Sequence, residues 1–187
     1  MKLLCALFAT ALLTGCVHNY KLHPISRTEP LRSNTLALIV VPTDGAFEQI
    51  KYPGSGRQVA RVVATAFAGQ GVRVDLVESN QTVRLEEADY LVTPRIAHWE
   101  DRATEWSGRS DRIEIELRTQ RARDGMMLNL GSVEGKSRWG TLGGDSPEDM
   151  LEKPINEYVH WLFQPLDVKP PKFKEPEPAA PHNQQQR

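Results

Sequence analysis

"TLALIVVPTDGAFEQIKYPGSGRQVARVVATAFAGQGVRVDLV", Thr35 to Val77, holds two short apolar runs with a stretch of helical period between them. "TLALIVVP" is continuously apolar between Asn34 and Pro42, which predicts a strand buried on both faces. In "GSGRQVARVVATAFAGQG" the residues Val59, Val62, Val63, Ala66 and Phe67 recur at helical spacing, and Gly69 or Gly71 ends the helix. "VRVDLV" reads as the second strand. The unit is therefore β-α-β, and its strands are expected to run parallel with a right-handed crossover.

Downstream, a short helix around Gln81 to Ala88 leads into a strand, "DYLVTPRIAHW", where Pro94 removes a ladder donor and predicts an edge position or a bulge. "DRIEIELRTQRAR" alternates strictly, with Ile113, Ile115, Leu117 and Thr119 on one face and Arg112, Glu114, Glu116 and Arg118 on the other. That pattern is a strand with one wet face. Asp124-Gly125 signals a hairpin, and "LNLGSVEGKSRW" returns antiparallel. A strict two-residue loop sets Ile115 against Glu134 and drives a charge into the core. A three-residue loop, or a bulge near Gly131, is expected instead, pairing Leu117 with Val133 and Glu114 with Lys136.

In "SPEDMLEKPINEYVHWLF" Ser146 suits a helix N-cap, Pro147 the first helical position, and Glu148 and Asp149 the positive end of the dipole. Met150, Leu151, Ile155, Val159, Leu162 and Phe163 form the apolar face, and Pro154 is expected to kink or split the helix. The order β-α-β-α-β-β-β-α predicts the α/β (α+β) class. A single domain over residues 35–164 would have a mixed, mainly antiparallel-ended sheet of about five strands packed by two to three helices.

The flanks locate the chain. "MKLLCALFATALLTGC" places Lys2 before an apolar run from Leu3 to Leu13, too short to cross a bilayer, which needs about 20 residues; residues 1–15 read as a signal peptide. Leu13-Thr14-Gly15-Cys16 resembles the lipobox of bacterial lipoproteins. The resemblance implies that Cys16 takes a diacylglyceryl thioether, becomes the first residue and is acylated on its amine. Several acyl chains give the durable attachment that one chain does not. Val17, where an aspartate would favour retention at the inner membrane, implies the periplasmic face of the outer membrane. With Cys5 removed and Cys16 blocked, the mature chain has no cysteine left for a disulfide. Residues 16–34, "CVHNYKLHPISRTEPLRSN", read as a lipidated cysteine and flexible tether that reaches about 60 Å stretched and about 25 Å on average. Residues 165–187 hold six of the thirteen prolines and read as a disordered tail.

Function is harder to read. Lys and Arg number 23 against 24 Asp and Glu, with no basic stripe, which argues against nucleic acid. Of five histidines only His98 and His160 fall within the domain, and no nucleophile elbow, zinc-protease or cysteine-pair motif is present, so neither metal nor cofactor is expected. Gly54-Ser55-Gly56-Arg57 offers backbone donors and an arginine at a helix start. Ser55, Gly56 and Arg57 are thus a weak anion-site candidate with Ser55 as simple N-cap the plainer reading, and the incomplete glycine fingerprint speaks against a nucleotide. "HWEDRATEWSGRSDR", His98 to Arg112, concentrates tryptophan and charge at a hairpin end. Glu100, Asp101, Glu105 and Asp111 would be the carboxylates of a glycan hydrolase. The interleaved Arg102, Arg109 and Arg112 depress carboxyl pKa values, the wrong direction for a general acid. Trp99, Arg102, Glu105, Trp106 and Arg109 are the better candidates for docking a partner, since tryptophan and arginine dominate interface hot spots.

"HWEDRATEW", "EGKSRWG" and "GGDSPEDMLEKPINEYV" resemble a family of Gram-negative lipoproteins known only as a domain of unknown function. The resemblance covers roughly Tyr20 to Phe163 and implies no catalytic residue. More loosely, the element order is similar to the α/β domain of the TolB amino-terminal region, the curli secretion lipoprotein and the lipoprotein activators of penicillin-binding proteins. The expectation is a non-enzymatic binding or scaffolding module of the cell envelope, with an envelope glycan hydrolase and a small-anion or lipid carrier as the alternatives.

Overall fold

The computed structural model describes residues 19–79, 84–101, 111–137 and 147–171. Its elements are β1 (Asn19–Arg27), β2 (Leu36–Val41), β3 (Ala46–Phe47), β4 (Ile50–Lys51), α1 (Ser55–Ala68), β5 (Arg73–Glu78), a 3-10 turn at Leu85–Glu87, β6 (Tyr90–Glu100), β7 (Arg112–Arg121), β8 (Met127–Lys136) and α2 (Pro147–Leu162). Six strands form one sheet in the order β1-β8-β7-β6-β2-β5, and β3-β4 is a separate small hairpin. β2 pairs in parallel with β5 and β6, and every other pairing in the large sheet is antiparallel. This is the expected mixed α/β domain, with two helices that touch each other and therefore cover the same face.

α1 buries Val59, Val62, Val63, Ala66 and Phe67 as its period predicts, and Gly71, at φ +76°, turns the chain into β5. Ala37, Ile39 and Val41 of β2 join those residues in the core. α2 adds Met150, Leu151, Ile155, Val159 and Leu162, together with Tyr158 and Trp161. Pro154 neither kinks the chain out of helix nor splits it: Pro147–Leu162 is one helix with a buried proline inside. A proline there leaves the Met150 carbonyl without its helical donor. That oxygen lies so close to β8 that a Cβ on Gly135 would sit 3.1 Å from it, and packing on the sheet carries the helix across the break. The N-cap expected at Ser146 lies outside the described residues.

Other expectations are revised as well. The stretch read as a tether contains β1, which lies antiparallel to β8 with Leu22 opposite Val133 and Tyr20 opposite Gly135. Its grip is physical: Leu22 packs against the core, Tyr20 Oη donates to Glu157 at 2.5 Å, and Arg27 donates to the carbonyls of Leu162 and Gln164 at the end of α2. A cation there complements the negative helix terminus. Leu31, 4% exposed, closes the same corner by donating its N–H to Leu162 O. At the other boundary, Trp161 Nε1 donates to Val168 O at 2.8 Å, so the ordered chain runs past the expected end at residue 164.

The β7-β8 register also differs. Ile115 faces Val133, Leu117 faces Gly131 and Glu114 faces Glu134, with the shift between Thr119 and Gln120 and not at Gly131. Like charges directly opposite repel. Here Arg112 sits between them, 3.0 Å from Glu134 and 3.4 Å from Glu114, and Lys136 is 3.4 Å from Glu134. Burial alone would raise the Glu134 pKa, but Arg112, Lys136 and Lys21 outweigh it and hold the carboxyl below its ordinary value. Pro94 lies in an interior strand, two residues beyond Val92, where pairing with β2 stops, and the register shift in β6 falls between Ile96 and His98. The short helix expected from Gln81 to Ala88 is the 3-10 turn Leu85–Glu87, and residues 80–83 lie outside the described residues.

Candidate functional site

The carboxyl ends of β2, β5 and β6 lie at one edge of the sheet, with the start of β7 and the end of β8 beside them. Ligands of open α/β sheets bind at this edge. The segments 102–110, between β6 and β7, and 138–146, between β8 and α2, both spring from it.

Helix α1 also starts here, and two of the N–H groups at its start are held by a carboxylate of the chain itself. Asp44 accepts from Gly54 N–H at 3.0 Å through Oδ2 and from Gly56 N–H at 2.9 Å through Oδ1. A carboxylate at the positive end of the dipole is the interaction that an incoming phosphate would otherwise make. Ser55 is 1% exposed and accepts from Gly45 N–H at 2.8 Å; the N-cap is Gly54, at φ +86°, so Ser55 is the first helical residue. Gly56 is required by its own chain, since a Cβ there would lie 2.1 Å from Pro42 O. Arg57 pairs with Glu78 of β5. The residues expected to receive an external anion are thus committed inside the fold. Asp44 was missed because it stands ten residues before the N-cap Gly54, with no local capping pattern to connect them.

Trp99 is a correction of a different kind. It is 1% exposed and lies in the core, beneath Gly45, where a Cβ would come within 2.7 Å of the indole's own Cβ. The bulge before His98 brings about this placement by setting Trp99 opposite Ile113, on the helix side of the sheet. As folded, Trp99 offers a partner no surface. Arg102, Glu105, Trp106 and Arg109 lie outside the described residues.

What the structure does define is the base from which 102–110 departs. On one side Tyr52 Oη donates to Asp101 O at 3.1 Å and accepts from Asp101 N–H at 3.3 Å, with the Tyr52 ring against Trp99 at 6.4 Å between centroids. On the other, Asp111 N–H donates to Ser137 Oγ at 2.8 Å and Ser137 N–H donates to Asp111 O at 3.2 Å. Both ends are tied to neighbouring elements. Of the carboxylates weighed for catalysis, Glu100 lies 3.3 Å from His98 Nε2, with Phe47 edge-on to that ring, and Glu105 is outside the described residues. Among the described residues no cluster of three His, Cys, Asp or Glu side chains is placed to hold a metal ion.

At the opposite end of the sheet Glu29, Arg32, Asp89, Tyr90, Arg121 and Arg123 line a polar concavity. Arg121 binds both Glu29 oxygens at 2.9 Å and Asp124 at 3.0 Å, so its charges are largely paired within the chain.

The fold is similar to that of PelC from Paraburkholderia phytofirmans, solved as a dodecamer, with a TM-score of 0.56 at 12% identity over 77% of this chain and 98% of that one. Lower similarity extends to lipoprotein GNA1162 from Neisseria meningitidis, with a TM-score of 0.47 and 13% identity over 65% of this chain and 94% of that one. Protein XCC0632 from Xanthomonas campestris gives a TM-score of 0.45 and 13% identity over 75% of this chain and 90% of that one. At these identities the likeness is one of fold. No curated protein matches the chain. Residues 29–162 match the model of a family described as a domain of unknown function (DUF4823).

Proposed function

This chain belongs to the DUF4823 family, and from that premise we propose that it is a lipid-anchored binding or scaffolding module of the cell envelope. Cys16 carries the anchor, the domain lies on the periplasmic side of the outer membrane, and the partner is an envelope protein. The protein performs no chemistry of its own. The observation that carries this reading is the fixed base of 102–110, with Asp101 held by Tyr52 and Asp111 by Ser137. A segment that carries Trp106, Arg102 and Arg109 from a fixed base is a common way to place a recognition element.

The docking set is narrowed to Arg102, Glu105, Trp106 and Arg109, because Trp99 is consumed by the core. The carrier alternative loses support, because Asp44 fills the helix start. The test is photocrosslinking in intact cells from position 106 of the full-length protein, with position 123, exposed in the β7-β8 turn, as control. A discrete heavier band from 106 and none from 123 is the expected result. Absence of a band from 106 in protein that is folded and membrane-bound contradicts the docking reading.

A further inference from the structure

β1 changes how the domain stands on its anchor. Asn19 is opposite Lys136, Lys136 is opposite Arg112, and Arg112 is opposite Glu100, so one row across four strands marks the edge from which 102–110 and 138–146 spring. Cys16 lies three residues before Asn19, a reach of at most about 11 Å. The β7-β8 turn is at the other end of β8, about 30 Å away at roughly 3.3 Å per residue.

Resting on this lipid-anchor reading, we propose that the edge marked by Asn19, Lys136, Arg112 and Glu100 faces the lipid headgroups of the membrane that holds Cys16. Covalent reach, not charge, imposes the orientation. Among the described residues at this edge, Lys21, Arg112 and Lys136 are offset by Glu100, Asp101, Asp111 and Glu134, so these form no basic patch to steer it. The domain can tilt about its short connection. It cannot invert, because bringing the β7-β8 turn to the bilayer would lift Asn19 about 30 Å away on a connection about a third of that length. Inversion would require the first residues of β1 to peel from β8, losing the Tyr20–Glu157 bond and the Leu22 packing. The segment 102–110 is therefore rooted at the membrane-facing edge.

The test uses two single-cysteine variants of the acylated full-length protein, Lys136→Cys and Arg123→Cys, at two exposed positions. Acylation of Cys16 leaves the introduced thiol as the one site for a fluorophore. Each labelled protein is placed in phosphatidylethanolamine/phosphatidylglycerol vesicles doped with a headgroup nitroxide lipid. Quenching at position 136 should be several times that at position 123. Equal quenching, stronger quenching at 123, or none at either position overturns the orientation. Mass spectrometry and vesicle flotation separate the two levels of failure: lipid on Cys16 with equal quenching sinks the orientation alone, and absence of lipid with no flotation sinks the anchor reading and the orientation together.

Discussion

Asp44 holds the start of α1 from within the chain. By accepting from Gly54 and Gly56 it satisfies helix donors that would otherwise be open to solvent or to an anion. Asp44→Ala should destabilise the domain by about 1–2 kcal/mol, read as a lower denaturant midpoint at unchanged slope. Glu134 offers a pH test. Its folded pKa is depressed, so its contribution is complete above the unfolded carboxyl value of about 4.3 and drains away as pH falls through the lower folded value. Unfolding midpoints measured from pH 7 to pH 3 should fall more steeply for the parent than for Glu134→Gln. Equal slopes would mean that the Arg112 and Lys136 pairs contribute nothing measurable. Gly131 tests packing: a Cβ there would lie 2.1 Å from Tyr158 Oη and 2.9 Å from Cζ. Gly131→Ala should cost about 1–3 kcal/mol. Adding Tyr158→Phe should recover only part of that, because the ring carbon remains and the 2.8 Å bond to Asn129 is lost.

Among the elements, those with an unbroken period were legible. α1 and the apolar face of α2 follow directly from spacing, and so does the parallel β2-α1-β5 unit. β1 was not, because Pro24, Ser26 and its charged residues conceal a strand that packs Leu22 against the core, and an edge strand with a register shift tolerates a proline. The β7-β8 register eluded sequence reasoning for another reason. Avoiding a charge opposite Ile115 was correct, but the shift could go either way, and only the Arg112 bridge makes Glu114 opposite Glu134 acceptable. The stretch His98–Arg112 falls at the end of the β6-β7 pair, as its sequence suggests, but Trp99 was misjudged, because its face is set by a bulge that no pattern announces. Trp99→Ala should therefore cost about 3–5 kcal/mol of stability. Trp106→Ala should leave the unfolding midpoint unchanged while weakening the crosslinked band. The opposite pattern would place Trp106 in the fold and not in recognition.

For the whole molecule, one short connection links architecture to function. A flexible tether would let the domain sample many orientations about 25 Å from the bilayer and make the position of 102–110 unimportant. With β1 in the sheet, two residues separate Cys16 from the domain, and the proposed lipid on Cys16 would hold one edge to the membrane side. The proposed stance on the membrane depends on residues 19–27 being strand. Hydrogen exchange of the acylated protein in vesicles reads this directly. Alternate amides between Lys21 and Arg27, those that donate to β8, should exchange orders of magnitude more slowly than an unstructured chain, approaching the protection of the β7-β8 pair. Exchange of the whole stretch at the rate of free peptide would contradict the account and return these residues to a tether.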